Sequence, residues 1–258
     1  MILVVGSVAL DTVKTPLNIK KEVLGGSAIY FSLSASFFNR VNLVGVVGSD
    51  FPSKYLNILK NKNIDLKGLK ICSGKTFRWE GEYGLDLNNP KTLATHLNVF
   101  SNFRPMLPKK YKNCRYVFLA NIDPKIQEEV LSQVNKPKLI GVDTMDHWII
   151  EKRNSLIKFL RKVDVFFLNE KEARLLSQEN NLLKAAKTIK RFGPKNIIIK
   201  KGEDGALFFS SIDYFCLPAF LLEKVIDPTG AGDAFAGGVM GYLSKKGSID
   251  IHTFKEAI

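Results

Sequence analysis

Residues 227–238 read D-P-T-G-A-G-D-A-F-A-G-G, a glycine-rich turn that leads into an apolar run. Gly230 and Gly232 can adopt positive φ without steric cost, and residues 234–243 are typical of the helix that such a turn begins. The start of a helix presents unpaired N–H groups and a positive dipole end, so the turn predicts an anion site. Asp233 lies in the first turn of that helix, and a carboxylate beside a bound phosphate indicates phosphoryl transfer.

The rest of the chain alternates short β-branched or aromatic runs with amphipathic stretches, which predicts a mostly parallel sheet covered by helices. The predicted strands are residues 2–5, 41–47, 116–120, 139–142, 165–168, 197–199 and 206–209. The predicted helices are residues 27–38, 54–61, 125–134, 149–162, 170–176 and 182–192. Segments 12–21 and 71–100 have no helical stripe and are predicted to be extended.

Two widespread phosphate-binding motifs do not describe the glycine turn. A dinucleotide fingerprint requires its third glycine at position 235, which is Phe235, and the pattern G-x-x-x-x-G-K-[ST] does not occur in the chain. Taken alone, a glycine turn before a helix is as often a tight connection as a binding site. Residues 227–238 resemble, almost letter for letter, the second signature of the PfkB (ribokinase-like) family of carbohydrate and nucleoside kinases. The family's first signature begins with a glycine pair, and Gly25-Gly26-Ser27-Ala28 stands in the corresponding place.

The resemblance implies an α/β fold, a ribokinase-like three-layer sandwich with a mostly parallel central sheet and a small β-lid over the acceptor site. A single domain would span residues 1–258, with lid segments at about 12–22 and 70–100. Relatives continue past the position that matches Ile258, so the C-terminal part of the family domain is expected to be missing. The alternative for the two segments is a pair of surface hairpins without a role. Large apolar side chains favour the lid, because only a ligand or a partner would cover them on a thin sheet. They are Phe77, Trp79, Tyr83 and Phe100.

The resemblance also assigns the catalytic turn. Asp233 corresponds to the general base, and the N–H groups of Gly230, Ala231 and Gly232 would form the anion hole for the transferred phosphoryl group. The reaction implied is transfer of the γ-phosphoryl group of ATP to an alcohol.

Three residues near the N-terminus match the acceptor site of the family. Asp11 stands where relatives use a carboxylate to accept hydrogen bonds from acceptor hydroxyls, and Gly25 and Gly26 would let the backbone approach the substrate. Without the resemblance, Asp11 is better described as a solvated loop acid, and the glycine pair could simply start a helix.

Residues on the nucleotide side follow from the same comparison. Asn169 and Glu172 match an N-x-x-E motif that organises Mg²⁺ and phosphate oxygens, with Glu172 acting on the metal through water. The alternative is an asparagine cap followed by acids in the first helical turn. Gly202, Gly205 and Thr229 are expected to border the nucleotide.

Other charged residues near these motifs are less settled. Asp227 matches a segment beside which several relatives bind a monovalent cation, so potassium is a further expected ligand. Lys200, Lys201 and Asp143 adjoin predicted strand ends and stay open between a site role and a surface role.

Composition limits the remaining functions. The 258 residues are 45% hydrophobic, enough to bury a sizeable core, and the net charge is +13. That charge is compatible with a nucleic-acid partner, but the lysines are scattered rather than clustered, so none is expected. Three distant cysteines and three distant histidines suggest neither a disulfide framework nor a zinc site.

No signal that directs the chain to a membrane or out of the cell is expected from the sequence. The apolar run at the N-terminus is short and lacks a basic flank, and the longest uncharged stretch, 23–39, is below the length of a membrane span. A cytoplasmic protein without a membrane partner is expected, and relatives suggest a homodimer that forms through the lids.

The identity of the acceptor is the least determined property. Relatives most like ribokinase have asparagine four residues after the glycine pair, where this chain has Tyr30, whose side chain lacks the paired donor and acceptor of an amide. A small sugar or polyol is the expected acceptor. The alternatives are a nucleoside, on which an aromatic lid would stack, and a nucleotide-binding protein without catalysis.

The role of Asp233 gives the first prediction. Asp233→Asn should leave the fold intact and lower turnover by roughly 10²–10⁴, the usual effect of removing a general base. Phosphorylation of the best acceptor is compared between the parent and the variant, and equal rates would rule out this assignment.

Overall fold

Two β-sheets organise the chain in a computed structural model that describes residues 1–84, 87 and 90–258. The strands of the larger sheet are β1 (Ile2–Val5), β4 (Val41–Gly48), β5 (Ile64–Cys72), β8 (Tyr116–Leu119), β9 (Leu139–Val142), β10 (Val165–Asn169), β11 (Asn196–Lys200), β12 (Ala206–Phe209) and β13 (Tyr214–Leu217). Those of the smaller sheet are β2 (Ala9–Thr15), β3 (Asn18–Gly25), β6 (Phe77–Glu82) and β7 (Lys91–His96).

Helices connect and cover the strands. They are α1 (Ser27–Ala35), α2 (Ser53–Lys60), α3 (Pro124–Leu131), α4 (Asp146–Glu151), α5 (Arg153–Leu160), α6 (Glu170–Ser177), α7 (Leu182–Arg191), α8 (Ala231–Lys246) and α9 (Ile251–Ala257). Short 3₁₀ helices are Asn98–Asn102, Lys109–Asn113 and Gly202–Asp204. Among the described residues, none of these helices has the length and apolarity needed to span a bilayer.

The larger sheet runs in the order β13-β12-β11-β10-β9-β8-β1-β4-β5. Its strands are parallel from β11 to β5, and β12 and β13 continue it as an antiparallel hairpin. β1, β4 and β8 are buried at every position, as expected for central parallel strands that helices cover on both faces. The predicted α/β class and mostly parallel sheet are therefore confirmed.

One hydrophobic core lies on each face of this sheet. The first includes Val130 of α3, Leu156 of α5 and Ala185 of α7, so helices α3 to α7 form one outer layer. The second includes Ile29 of α1 and Val239 of α8, which belong to the opposite layer with α2 and α9. The result is the predicted three-layer sandwich.

Several elements differ from the sequence prediction. Strand β13 was not predicted, and the predicted extended segment 71–100 ends in a 3₁₀ helix, Asn98–Asn102. The single helix predicted for 149–162 is wrong, because the backbone leaves the helical region at Lys152 (φ −130°) and α4 and α5 form instead. Ile149 and Leu156 are both buried, so the apolar stripe continues across the break and conceals it. Strand β5 has mixed polarity at the sheet edge and was not predicted.

The smaller sheet arises from the two extended segments of the sequence. β2 pairs antiparallel with β3 and parallel with β6, and β6 pairs antiparallel with β7. Residues 85, 86, 88 and 89 of the second segment lie outside the described part of the chain. Phe77 and Phe100 stack on each other with ring centroids 5.3 Å apart. Each ring therefore covers part of the other, whereas the sequence predicted that only a ligand or a partner would cover them.

Helices α1 and α8 make the closest helix contact in the outer layers. A Cβ atom placed on Gly237 would lie 2.4 Å from the carbonyl oxygen of Phe31, a separation that real atoms do not reach. At the next residue, Gly238, the nearest atom to such a Cβ is Ser34 Oγ at 3.5 Å, an ordinary contact. The backbones therefore touch along the Gly237 face of α8.

These neighbouring glycines form a matched pair for a stability test. Gly237→Ala should force α1 and α8 apart and destabilise the protein by about 1–3 kcal/mol, as overpacking does. Gly238→Ala should be neutral or stabilising by up to about 1 kcal/mol, since alanine favours helix. The midpoint of thermal unfolding should shift by roughly 2–4 °C for each kcal/mol of change in stability. Equal unfolding midpoints for the two variants would contradict the close packing.

Candidate active site

The candidate site lies where the carboxyl ends of parallel strands meet the start of α8. Asp143 follows β9, Asn169 ends β10, and Lys200 ends β11, the next strand along the sheet. Open α/β sheets place their ligands at this edge. Asp233 belongs to the first turn of α8 and faces the same region.

The glycine turn begins α8 in the predicted manner. Gly230 is the N-cap and has φ 76°, a left-handed conformation that suits glycine. The helical hydrogen bonds begin with Ala234 N–H to Gly230 O at 2.8 Å, so the N–H groups of Gly232 and Asp233 lie outside that pattern. The N–H of Ala231 donates to the carbonyl of Pro228 at 3.0 Å, so it already has a partner within the turn.

A cavity of about 290 Å³ lies in front of this turn. Gly202, Gly205 and Gly232, all predicted to border a nucleotide, are in its wall together with Ala231 and Lys200. Much of the remaining lining is apolar. It includes Leu217, Pro218, Phe220, Phe235 and Ile258. A wall that combines unpaired N–H groups with apolar side chains suits a ligand that has an anionic group and an apolar part.

Asp11 belongs to strand β2 and is near enough to Asp233 for its charge to raise the pKa of that carboxyl group. Its side chain is buried, and a Cβ atom on Gly25 would lie 1.9 Å from Asp11 Oδ2, so the glycine makes room for the carboxylate. Burial, supported by the charge of Asp227 and opposed by the N–H of Gly26, raises the pKa of Asp11 to about 7. The alternative of a solvated loop acid is therefore wrong.

Two tyrosines contact the glycine turn and the residue before it. The ring of Tyr30 packs against Gly230, where an added Cβ would lie 2.2 Å from the ring. Tyr83, from the smaller sheet, is buried, and its Oη accepts a hydrogen bond from Thr229 Oγ1 at 3.2 Å. Burial is the main cause that raises the pKa of both phenols, with added repulsion from Asp11 and Asp233.

Thr229 and Asp227 stand at the entrance to the glycine turn. The N–H of Thr229 donates to Asp227 Oδ1 at 3.0 Å, which fixes the chain before Gly230. The Thr229 hydroxyl bonds to Tyr83 rather than pointing into the cavity wall, so Thr229 joins the smaller sheet to the turn.

Asn169 and Glu172 form a complete capping box at the start of α6. Asn169 Oδ1 accepts from Glu172 N–H at 2.8 Å, and Glu172 Oε2 accepts from Asn169 N–H at 2.7 Å. The capping alternative is thus present, and it leaves the second oxygen of Glu172 for other contacts. Burial raises the pKa of Glu172 to about 8, with Lys200 opposing and Asp143 adding to the rise.

Lys200 is the cation among these carboxylates. Its Nζ lies 2.8 Å from Asp143 Oδ2, and both side chains are largely buried. Burial raises the pKa of Asp233 to about 7, the charges of Asp143 and Asp11 add to the rise, and Lys200 opposes it. A carboxyl group that titrates near neutral pH is suited to general base catalysis.

Sequence reasoning left Lys200 and Asp143 open, and the structure brings them together. Both predicted strand ends were visible in the sequence, which placed them at one edge of the sheet. The pairing across the intervening strand β10 was not visible. Within the described residues, no cluster of three or more His, Cys, Asp or Glu side chains has the arrangement of a metal site.

Comparison with known proteins identifies the family. The profile of the pfkB family of carbohydrate kinases matches residues 11–253, and the chain belongs to this family. It is a ribokinase-like phosphotransferase with an alcohol group as acceptor. A cytidine kinase of Thermococcus kodakarensis is 29% identical over 251 residues, which cover 95% of this chain and 88% of that protein.

Solved structures show the same fold. The nucleoside kinase of Burkholderia thailandensis in complex with inosine has a TM-score of 0.76 at 19% identity, and the match covers 100% of this chain and 88% of that one. A putative ribokinase II from E. coli in complex with ATP and Mg²⁺ has a TM-score of 0.81 at 19% identity, with 99% and 89% coverage.

The burial of Asp11 gives a prediction that needs no substrate. The folded protein binds more protons than the unfolded chain between about pH 4 and pH 7, because the pKa of Asp11 rises from 3.8 to about 7 on folding. The cost of the charged carboxylate therefore grows as pH rises through this window. Asp11→Asn should raise the unfolding midpoint at pH 8 and give a smaller gain at pH 5. Asp204→Asn, at an exposed position, is the control and should change neither midpoint. A gain for Asp11→Asn that does not depend on pH would contradict the prediction.

Proposed function

We propose that the protein transfers the γ-phosphoryl group of ATP to a hydroxyl of a nucleoside. The observation that carries this proposal is that Asp233, next to the cavity-lining Gly232 in the first turn of α8, lies close enough to the buried Asp11 for the two charges to interact. The start of α8 offers unpaired N–H groups and a cavity for the donor. Asp11 offers a buried carboxylate for the acceptor, so both substrates would meet at Asp233.

The choice of a nucleoside over a sugar or polyol rests on two observations. Proteins with similar sequences or folds include a cytidine kinase and a nucleoside kinase solved with inosine. Near Asp11 and the glycine turn, the ring of Tyr30 is partly exposed, and an aromatic face suits the stacking of a base. A free sugar or polyol, the first expectation from sequence, would leave that aromatic surface without a matching group and is the second candidate.

The chemistry follows from this placement. The N–H of Gly26 is close to the Asp11 carboxylate, which would accept a hydrogen bond from an acceptor hydroxyl and orient it. Asp233 would take the proton of the reacting hydroxyl as its oxygen bonds to the γ-phosphorus, while the bond from that phosphorus to the bridging oxygen breaks and ADP leaves. The N–H groups of Gly232 and Asp233, outside the helical pattern, would stabilise the charge on the transferring oxygens.

The side chains of the site suit a Mg²⁺ ion that is held mainly by water and substrate phosphates. Mg²⁺ keeps several waters and binds proteins through one or two carboxylates and substrate phosphates rather than a closed cage. The buried Glu172 has one oxygen in the capping box and one available, so we propose that it holds the metal through water. When bound, Mg²⁺ would neutralise part of the phosphate charge.

We also propose a monovalent cation at Asp227. One of its oxygens accepts from Thr229 N–H, and the other is available beside the turn that begins α8. Potassium there would hold the turn in its present conformation.

The smaller sheet would act as a lid over the acceptor. Residues of β2 supply Asp11, and Tyr83 extends the sheet to the Thr229 hydroxyl. These two contacts tie the sheet to the pocket in which the nucleoside would lie.

An ADP-release screen with Mg²⁺ tests the proposed function. Cytidine, inosine and adenosine are compared with ribose, fructose and inositol, each with and without potassium. We expect the best nucleoside to exceed the best sugar or polyol at least tenfold in kcat/KM, and potassium to increase the rate.

The screen has two outcomes against the proposal. A sugar or polyol as the best acceptor would overturn the nucleoside assignment. ATP binding without ADP release for any acceptor would favour a nucleotide-binding protein without catalysis. Asp233→Asn serves as the blank for contaminating kinases.

A further inference from the structure

Lys200 is a charged side chain whose role the proposed mechanism leaves open. It ends strand β11, and its ammonium group is held by Asp143, which lies two strands away in the sheet. The side chains keep only 17% and 4% of their surfaces exposed. A largely buried ion pair is costly to form, so its position beside a binding cavity calls for an explanation.

The ammonium group faces the glycine turn. A Cβ atom placed on Gly232 would lie 3.2 Å from Lys200 Nζ, so the cation lies directly beside the backbone whose N–H groups begin α8. Lys200 and Gly232 are also both in the wall of the 290 Å³ cavity. An anion held by that backbone would lie within reach of the ammonium.

The hydrogen-bonding capacity of Lys200 is only partly used. An ammonium group has three N–H donors. Among the described residues, its recorded side-chain hydrogen bond goes to Asp143 Oδ2, at 2.8 Å. Asp143 Oδ1 accepts in turn from Thr144 N–H at 2.9 Å, which fixes the carboxylate. The pair therefore orients the ammonium and leaves donors for a ligand.

The negative charge of the carboxylates near Lys200 bears on how a polyphosphate could bind there. Burial alone would lower the pKa of Lys200, but the nearby carboxylates of Asp143, Glu172 and Asp233 all raise it. A polyphosphate that enters the cavity brings several more negative charges to the same place. A fixed cation is needed to make that approach favourable.

We propose that Lys200 binds the terminal phosphates of the nucleotide, and that Asp143 positions it for this contact. The inference rests on the proposed function for the identity of the donor and adds a residue to its phosphate site. The lysine next to it, Lys201, is partly exposed, is absent from the cavity wall and offers a matched control.

Binding of a nucleotide series in the absence of acceptor tests the proposal. Calorimetry in Mg²⁺ buffer gives Kd values for AMP, ADP and β,γ-imido-ATP with the parent, Lys200→Met, Lys200→Arg and Lys201→Met. A lost hydrogen bond to a charged group corresponds to roughly a 10- to 100-fold change in Kd. We expect Lys200→Met to lose this factor for β,γ-imido-ATP and less than threefold for AMP. Lys200→Arg should recover part of the loss, and Lys201→Met should match the parent.

The AMP measurement separates a phosphate contact from a structural role. Unchanged AMP affinity shows that the cavity of Lys200→Met is intact. Equal losses for AMP and the ATP analogue, or no loss for either, would overturn the proposal. If Lys200→Met does not fold, the same comparison is made with Lys200→Arg, whose longer, planar group should weaken the analogue more than AMP.

The nucleotide-binding measurements do not depend on which acceptor the protein phosphorylates. A parent protein that discriminates nucleotides by phosphate number but phosphorylates no nucleoside would contradict the proposed function and leave the role of Lys200 in place. A parent protein that does not bind β,γ-imido-ATP would contradict both.

Discussion

The close contact between α1 and α8 is the constraint on which the candidate site depends. Gly237 allows the backbone of α8 to touch that of α1, which fixes the two helices side by side. Each helix begins at a glycine with positive φ, Gly26 at 98° and Gly230 at 76°. Their first turns therefore open at the same edge of the sheet, and Tyr30 from the first turn of α1 lies on Gly230. A larger side chain at Gly237 would change the site through this geometry.

The second property of the site is its crowding of charge. Asp143, Glu172 and Asp233 are brought near Lys200, and the charge of Asp11 also acts on Asp233. Burial raises the pKa of Asp11, Glu172 and Asp233. Such an arrangement lowers stability above neutral pH, since charged carboxylates are disfavoured in buried positions. The same arrangement keeps Asp233 able to accept a proton near pH 7. The buried carboxyl groups that lower stability are thus the ones that the proposed function uses as a base and beside the phosphates.

Local signals in the sequence predicted the frame of this site. The turn that begins α8 needs glycine for its positive φ, so the sequence predicted it. The buried strands are continuous apolar runs, so the sequence predicted them as well. The burial of Asp11 was not predictable from its neighbours, because the space comes from the missing side chain of Gly25 on the paired strand. The pairing of Lys200 with Asp143 depends on two side chains that cross strand β10. The helix break at Lys152, between α4 and α5, was not predictable because the spacing of apolar residues continues across it.

In the proposed function, the carboxylate of Asp233 lies between a nucleotide and an alcohol. A crystal structure of the protein with β,γ-imido-ATP, Mg²⁺ and the best nucleoside tests this placement. We expect the reacting hydroxyl within about 2.6–3.2 Å of an Asp233 oxygen, the range for proton transfer. We also expect the terminal phosphate to lie against the N–H groups of Gly232 and Asp233. A nucleoside bound away from Asp233, or phosphates bound away from the start of α8, would contradict it.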